Sequence, residues 1–166
     1  LLRKKLIKLI KNKKIACLIT ARSGSKGLKD KNIKKIKKLS LIEHVIKESK
    51  KSKYIDETYI STDSLRYIKI AKKAGAIIPF KRPKKLSLDN SSSFSVIEHF
   101  LDYLKKQDNK KYNILVLLEP TSPMTSFKDI DYCLKSLIFD KRADSLVGIS
   151  KIEKYDLKSV FTLSKD

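Results

Sequence analysis

The chemically interesting residues of this chain lie in short polar stretches that follow apolar runs, and the first stretch has the composition of a phosphate-binding loop. Residues 21–27 read ARSGSKG. Its candidate binding residues are Arg22, Ser23, Gly24, Ser25 and Lys26. Glycine lets backbone amides turn toward an oxyanion, and Arg and Lys supply positive charge for a departing pyrophosphate. The loop favours a nucleoside triphosphate, although it is neither a Walker A loop nor a G-x-G-x-x-G fingerprint. A solvated Gly and Ser turn is the alternative.

The next two polar stretches carry groups that could recognise a sugar or a base. Lys31 precedes Asn32, whose amide both donates and accepts hydrogen bonds and so suits a ribose or base edge. Asn alone is also a common turn residue. Residues 61–63 read STD, and we expect Asp63 either to cap a helix or to contact the ligand.

Two further stretches complete the set. Arg82 stands before Pro83, which favours an extended backbone, and LSLDNSSS follows at residues 86–93. The serines, Ser93 among them, could cap a helix, contact a ligand, or do both. The last stretch reads EPTSP and contains Glu119, Thr121 and Ser122. Its two prolines predict a rigid lip that holds these side chains at fixed positions, or simply a stiff turn.

Strand patterns and helix patterns alternate along the chain and must position these stretches. Predicted strands lie at residues 13–21, 57–61, 76–80, 113–119 and 144–150, and predicted helices at 40–52, 65–75, 91–104 and 126–140. Capping boxes are expected at Ser40 with Glu43 and at Ser126 with Asp129. This alternation predicts an α/β fold with a mainly parallel sheet flanked by helices. Ligands bind beyond the carboxyl ends of such strands, so the loops after Thr20, Ile60, Phe80 and Leu118 should meet at one site.

The charge and the remaining reactive residues narrow the functional classes. The net charge is +21, but only five of the 39 basic residues are Arg. Because Arg is the usual reader of phosphates and base edges, and basic patches with stacking aromatics are not evident, we expect no specific nucleic-acid partner. Cys17 and Cys133 are expected to be apolar fillers, and His44 and His99 to be structural.

Neither a membrane span nor a signal peptide is evident in the sequence, and so we expect a cytoplasmic protein. We interpret residues 1–12 as a basic extension, whose alternative role is an amphipathic helix for a membrane surface or a partner. Residues 13–166 are interpreted as one domain. The pattern weakens after Ser150, and we expect that the domain's C-terminal part is missing.

Taken together, the ordered motifs resemble those of the acylneuraminate cytidylyltransferases, also called CMP-sialic acid synthetases. The motifs are ARSGSKG, KN at 31–32, STD at 61–63, RP at 82–83, LSLDNSSS and LLEPTSP. The resemblance covers about residues 13–150. It implies a Rossmann-like nucleotide-diphospho-sugar transferase fold, dependence on Mg²⁺, and transfer from CTP to an acidic sugar with release of pyrophosphate. It also implies a homodimer for the full-length protein.

The resemblance also implies roles for individual residues. Arg22, Ser25 and Lys26 would hold the triphosphate and Lys31 would add charge, with Arg22, Lys26 and Lys31 as the catalytic group. Asn32, Arg82 and Ser93 would help to bind the nucleotide, and the loop of Glu119, Thr121 and Ser122 would face the sugar. No metal ligand can be identified in this chain.

Two departures from the family pattern leave the sugar open. Glu119 stands where the family usually has Gln, and Met124-Thr125 stands where it usually has Leu-Arg. A carboxylate only accepts hydrogen bonds and repels the carboxylate of a sialic acid. The predicted substrate is sialic acid or a related nonulosonic acid, such as legionaminic or pseudaminic acid. The alternatives are 3-deoxy-manno-octulosonate, another sugar, or a catalytically silent nucleotide-binding module.

Overall fold

The computed structural model of the 166-residue chain describes residue 10, residues 12–108 and residues 111–149. Its strands are β1 (Ile15–Thr20), β2 (Lys35–Ile36), β3 (Leu39–Ser40), β4 (Glu57–Ser61) and β5 (Ile114–Leu118). Its α-helices are α1 (Leu41–Lys51), α2 (Leu65–Lys73), α3 (Ser93–Tyr103) and α4 (Phe127–Phe139). Short 3₁₀ turns lie at Lys31–Ile33 and Lys84–Leu86, and a π turn at Leu104–Asp108 follows α3.

The central sheet contains three parallel strands in the order β4-β1-β5. In the middle strand, Cys17 lies opposite Thr58 of β4 on one side and Val116 of β5 on the other. The short strands β2 and β3 form a separate antiparallel pair. A parallel sheet with helices in its crossovers confirms the predicted α/β fold class.

Helices cover both faces of this sheet. Alternate residues of β1 point to opposite faces, and each set is apolar and packs against helices. Cys17 and Ile19 face a buried cluster that includes residues of α1 and α2. Ala16 and Leu18 face the other way and pack near Phe100 of α3. The Cys17 thiol is fully buried, and burial raises its pKa to about 12, which agrees with its predicted role as an apolar filler. Cys133 is only half-buried.

The helix starts follow the predicted capping pattern. Capping boxes form at Ser40 with Glu43 and at Ser126 with Asp129, as expected. Ser92 accepts from the Ser95 amide and so caps α3. The cap of α2 is Ser64, and Asp63 is therefore free to make a different contact. Gly75, just beyond α2, has the positive φ of +89° that glycine adopts without strain.

Two of the predicted strands differ in the structure. Residues 76–80 are extended but make only single bridges, from Ile77 to Tyr59 and from the following Lys81 to Thr62. The prediction of a strand at 144–150 is wrong for its described residues 144–149, which adopt no regular structure. Val147 and Ile149 are exposed, and within the described ranges no strand pairs with this segment. An apolar run needs a partner for its backbone groups before it becomes a strand.

Candidate functional site

A cleft of about 240 Å³ opens at the carboxyl ends of β1 and β5. Thr20 lies at the end of β1 and Pro120 just beyond β5, and both line the cleft. The 3₁₀ turn at Lys84–Leu86 and the start of α3 form the opposite wall through Leu86, Ser91 and Val96. The expected convergence of loops on one site is therefore confirmed for three of the four loops. The fourth loop, after Ile60, does not line the cleft. Its side chains instead form hydrogen bonds with residues of two other loops.

Eight of the sequence-predicted site residues line this cleft. They are Arg22, Ser25, Lys31, Asn32, Arg82, Ser93, Glu119 and Thr121. The other predicted residues do not form its wall: Ser23, Gly24, Lys26 and Ser122. The structure thus gathers residues that are up to 99 positions apart in the chain, from Arg22 to Thr121. The individual binding and catalytic roles of these residues stay predictions.

The phosphate-type loop after β1 is held to the neighbouring strand β4 through Asp63. The Asp63 carboxylate accepts from the Ser23 amide at 2.8 Å and from the Ser23 hydroxyl at 2.6 Å. Burial alone would raise the pKa of Asp63, but the hydrogen bonds from Ser23 outweigh it and the pKa is lowered. Gly24 follows at φ +39°, a conformation that residues with a Cβ rarely adopt. Ser23 therefore anchors the loop and leaves the groups after it to face outward.

Arg22 and Lys26 converge on one carboxylate across the mouth of the cleft. Arg22 Nη1 lies 2.6 Å from Asp89 Oδ1, and Lys26 Nζ lies 2.7 Å from Asp89 Oδ2. Hydrogen bonds from Lys26 and Arg22 hold the pKa of Asp89 below its ordinary range. These two cations are thus oriented toward the loop that precedes α3.

Asn32 is a buried polar residue in the wall of the cleft, with 5% of its surface exposed. Its Nδ2 donates to the Arg22 carbonyl at 3.0 Å, which closes the base of the loop. Its Oδ1 is buried and has no hydrogen-bond partner. A buried acceptor without a partner costs free energy, and a hydrogen bond from a bound ligand or a water molecule removes that cost. Asn32 therefore offers an acceptor for a donor on a ligand.

Arg82 is the most deeply placed cation of the cleft, with 4% of its surface exposed. Its Nε donates to the Ser61 hydroxyl at 2.9 Å and its Nη2 to the Ser61 carbonyl at 2.6 Å. Burial lowers the pKa of Arg82 to about 10, and the charge of Asp63 opposes this change. The guanidinium thus stays charged at neutral pH and is fixed in direction by the end of β4.

The turn after β5 carries the residues predicted to face a sugar. Glu119 is exposed, and its carboxylate accepts from the Thr121 hydroxyl at 3.2 Å. The Ser122 amide donates to the Glu119 carbonyl at 3.1 Å, which closes a tight turn around the buried Pro120. This geometry agrees with the predicted rigid lip. Glu119 and Arg22 are far apart in the sequence, and yet both line the same cleft.

Possible metal ligands and the two histidines are the remaining candidate groups. Within residues 10, 12–108 and 111–149, no three His, Cys, Asp or Glu side chains form a cluster that could hold a metal ion. His44 Nε2 lies 3.0 Å from the Ile36 carbonyl, and the His99 ring packs edge-on against Phe80. Neither histidine lines the cleft.

The match to a known family decides what kind of cleft this is. A cytidylyltransferase family model matches residues 16–164. The chain belongs to the cytidylyltransferase family. The region matched contains every residue of the cleft, from the loop after β1 to the turn after β5.

Individual relatives support this family assignment. The chain is 34% identical to the N-acylneuraminate cytidylyltransferase of Streptococcus agalactiae serotype V over 90% of its own length and 35% of the relative's. It is 32% identical to the pseudaminic acid cytidylyltransferase of Campylobacter jejuni serotype O:2, over 90% of its length and 63% of the relative's. These matches confirm the resemblance that the motifs indicated. The chain spans about a third to a half of the length of the curated relatives ranked first in similarity.

A solved structure confirms the fold of this chain. A CMP:2-keto-3-deoxy-manno-octonic acid synthetase complexed with CTP superposes with a TM-score of 0.62 at 22% identity. The match covers 76% of this chain and 48% of the other. At this identity the comparison supports the nucleotide-diphospho-sugar transferase fold alone. No described helix is long and apolar enough to cross a membrane.

Two acidic residues shape the site in ways that the sequence did not indicate. Asp89 lies within the LSLDNSSS motif but received no role, although it pairs with both cations of the first loop. Asp63 was expected to cap a helix or contact a ligand, and it instead fixes Ser23. One signal was available: β1 and β4 were both predicted strands, and their carboxyl ends bring residues 22–23 and 61–63 together.

Proposed function

We propose that this protein activates an acidic nine-carbon sugar with CTP. In this reaction the anomeric hydroxyl oxygen of the sugar attacks the α-phosphorus of CTP and forms a new P–O bond. The bond from that phosphorus to the oxygen that bridges it to the β-phosphorus breaks, pyrophosphate leaves with that oxygen, and the hydroxyl proton passes to solvent water. The products are the CMP-sugar and pyrophosphate. The family membership supports the cytidylyl donor, and the names of the relatives support sialic acid or a related nonulosonic acid as the acceptor.

The observation that carries the proposal is the convergence of cations on one cleft. Arg22, Lys31 and Arg82 line it together, and Lys26 lies at its mouth through its pair with Asp89. Transfer of a phosphoryl-type group needs little covalent help but much charge neutralisation and in-line positioning. In this arrangement Arg22 and Lys26 neutralise charge that develops on the departing pyrophosphate. The fixed Arg82 guanidinium contributes charge without changing its own geometry.

Polar groups of the cleft support separate ends for the nucleotide and the sugar. The unpaired Asn32 Oδ1 suits a donor on the base or ribose, and Ser93 at the start of α3 also lines the cleft. Glu119 and Thr121 belong to the lip at the other loop. We infer that Glu119 accepts from a hydroxyl or amino substituent of the sugar, because a carboxylate would repel the sugar's own acid group.

Three further features belong to the proposal. Mg²⁺ would serve as the cofactor. The described residues contain no group of three metal-ligating side chains, and no residue is named here as its ligand. The full-length protein would act as a homodimer, a state that light scattering would measure. Its place of action would be the cytoplasm, where CTP is available.

Pyrophosphate release is the direct test. We expect CTP with a nonulosonic acid from a panel to release pyrophosphate, and Arg22→Ala to lower turnover by about 100-fold or more, since it removes a cation from the developing charge. Arg142→Ala is the matched control, because Arg142 is an exposed arginine that pairs with Asp140 away from the cleft. Near-normal release from the Arg22 variant would overturn the role assigned to this loop.

The acceptor panel also separates the alternatives. It should contain N-acetylneuraminic, legionaminic and pseudaminic acids together with 3-deoxy-manno-octulosonate. Activity on the last sugar alone would move the protein to a different acceptor class. Thermal stabilisation by CTP without pyrophosphate release from any sugar would instead identify a silent nucleotide-binding module.

A further inference from the structure

The loop after β1 is anchored at both ends. At its start, the Asp63 carboxylate binds the amide and hydroxyl of Ser23. At its end, the Tyr67 hydroxyl donates to Asp30 Oδ1 at 3.0 Å, and Arg66 reaches the other oxygen of Asp30 at 3.4 Å. Both anchors come from the β4 end and α2. The ends of the loop are therefore fixed by groups outside the cleft.

Two cationic side chains of the loop are held in a different way. Its charged side chains, Arg22 and Lys26, both contact Asp89, which belongs to the segment between the 3₁₀ turn at Lys84–Leu86 and α3. Each carboxylate oxygen takes one cation, at 2.6 and 2.7 Å. The Arg22, Lys26 and Asp89 side chains are 35%, 81% and 40% exposed, respectively, so water can reach all three. Ion pairs at this exposure are weak and readily exchanged.

The two cations that Asp89 engages are the same groups that a phosphate at this loop would need. A carboxylate and a phosphate both accept from the N–H donors of Arg22 and Lys26, and a pyrophosphate or triphosphate carries more negative charge and more acceptor oxygens than one carboxylate. Asp89 kept in place beside a triphosphate would also set a negative charge against several others. Both effects favour exchange of the carboxylate for the phosphate.

We propose that Asp89 competes with phosphate for Arg22 and Lys26, so that nucleotide binding exchanges these two cations from Asp89 to the phosphates. The inference rests on the proposed function, since it assumes that phosphates bind at the loop after β1. Asp89 is then a positioning residue: it holds the two side chains at the mouth of the cleft and leaves them when an anion of higher charge arrives. The exchange also ties the segment before α3 to occupancy of the phosphate site.

The test measures binding of inorganic pyrophosphate by titration calorimetry, because this anion lacks the base and ribose and so reports on the phosphate site alone. Asp89→Asn keeps the size of the side chain and removes its charge. We expect the variant to bind pyrophosphate about two- to tenfold more tightly than the unmodified protein, the range for loss of exposed ion pairs. Asp89→Glu, which restores a carboxylate, should return most of the original affinity.

Asp140→Asn is the matched control, because it removes the same charge from an exposed ion pair with Arg142. Its pyrophosphate affinity should stay within about twofold of the original, which separates local competition from the overall charge of the protein. Equal or weaker binding by Asp89→Asn would overturn the inference, since a carboxylate that only positions the cations would help binding. If the unmodified protein binds neither CTP nor pyrophosphate, both this inference and the proposed function fail.

Discussion

Arg22 and Arg82 line the same cleft, but their guanidinium groups are held in opposite ways. Arg82 is buried and gives two hydrogen bonds to Ser61, whereas Arg22 is partly exposed and pairs with Asp89. A buried arginine that is already held by two hydrogen bonds loses little conformational freedom when a ligand binds. An exposed arginine can change partner at low cost. We therefore expect the Arg82 guanidinium to keep its position when a ligand binds, and the Arg22 guanidinium to change its partner.

Glu119 is the residue at which substrate choice can be tested. Glu119→Gln turns one acceptor oxygen into a donor and removes a negative charge beside an acidic sugar. We expect kcat/KM for N-acetylneuraminic acid to rise relative to the protein's preferred sugar by about 10-fold, because the substitution removes a like-charge repulsion and adds a hydrogen-bond donor. Competing sugars in one assay with CTP would measure this ratio.

Glu98→Gln provides the control for that substitution, because Glu98 is an exposed residue of α3 that does not line the cleft. It should leave the sugar preference unchanged. An unaltered preference in Glu119→Gln as well would show that Glu119 only shapes the turn through its contact with Thr121.

The anchors of the first loop operate at the scale of elements. Asp63 follows β4, and its carboxylate fixes the residue that follows β1 by three positions, so the two neighbouring strand ends act as one unit. Asp30 does the same at the far end of the loop through Tyr67 of α2. The loop's shape is thus set by the strand and helix beside it as well as by its own glycines.

Asp63→Asn tests the first anchor. The amide cannot accept at both oxygens as the carboxylate does, and we expect the free energy of unfolding to fall by about 1–2 kcal/mol with weaker pyrophosphate binding. Ser23→Ala should cost less, because the Ser23 amide keeps its bond to Asp63. Chemical unfolding and calorimetry of both variants would measure the two effects.

Asp144→Asn is the control for Asp63→Asn, since it removes the same charge from an exposed residue beyond α4. Its unfolding free energy should stay within about 0.5 kcal/mol of the original. A similar small change in Asp63→Asn would contradict the anchoring role.

Local patterns were good predictors of individual elements and poor predictors of long-range contacts. The capping boxes at Ser40 and Ser126 could be read from sequence because their partners lie three residues away. The strand predicted at 144–150 could not be judged in the same way, since apolar composition does not tell whether another strand lies beside it. The pairs of Asp89 with Arg22 and Lys26 were missed for a similar reason: they depend on how two distant loops meet.

For the whole molecule, the shifted pKa values predict loss of stability in acid. The Ser40 hydroxyl lowers the pKa of Glu43, and the Ser126 amide lowers that of Asp129. Carboxylates whose folded pKa is depressed stabilise the fold above their ordinary values of 4.5 and 3.8, and this stability is lost as pH falls through the folded values. Burial lowers the pKa of His99 below 6.5, so its neutral form favours the fold and the loss begins below that pH.

Urea unfolding between pH 7.5 and pH 3 would check this order of events. We expect a shallow decline that begins near the ordinary histidine pKa of 6.5 and a steeper one below the ordinary glutamate pKa of 4.5. His99→Gln should remove the shallow part and keep the steep part, whereas His44→Gln, at a histidine hydrogen-bonded to the Ile36 carbonyl, should keep both. A shallow decline that persists in His99→Gln would assign it to another group.

The central position of β1 also has a consequence for synthesis of the chain on the ribosome. β1 pairs with β4 nearby in sequence, but its other edge waits for β5, where Ile114 meets Ile15. At a synthesis rate of about 5–20 residues per second, that edge stays open for roughly 3–10 seconds after β4 emerges. An unpaired strand edge can recruit other chains, so this interval is when the nascent protein most needs protection. The half of the cleft that holds Arg22 and Arg82 is therefore built before Glu119 can join it.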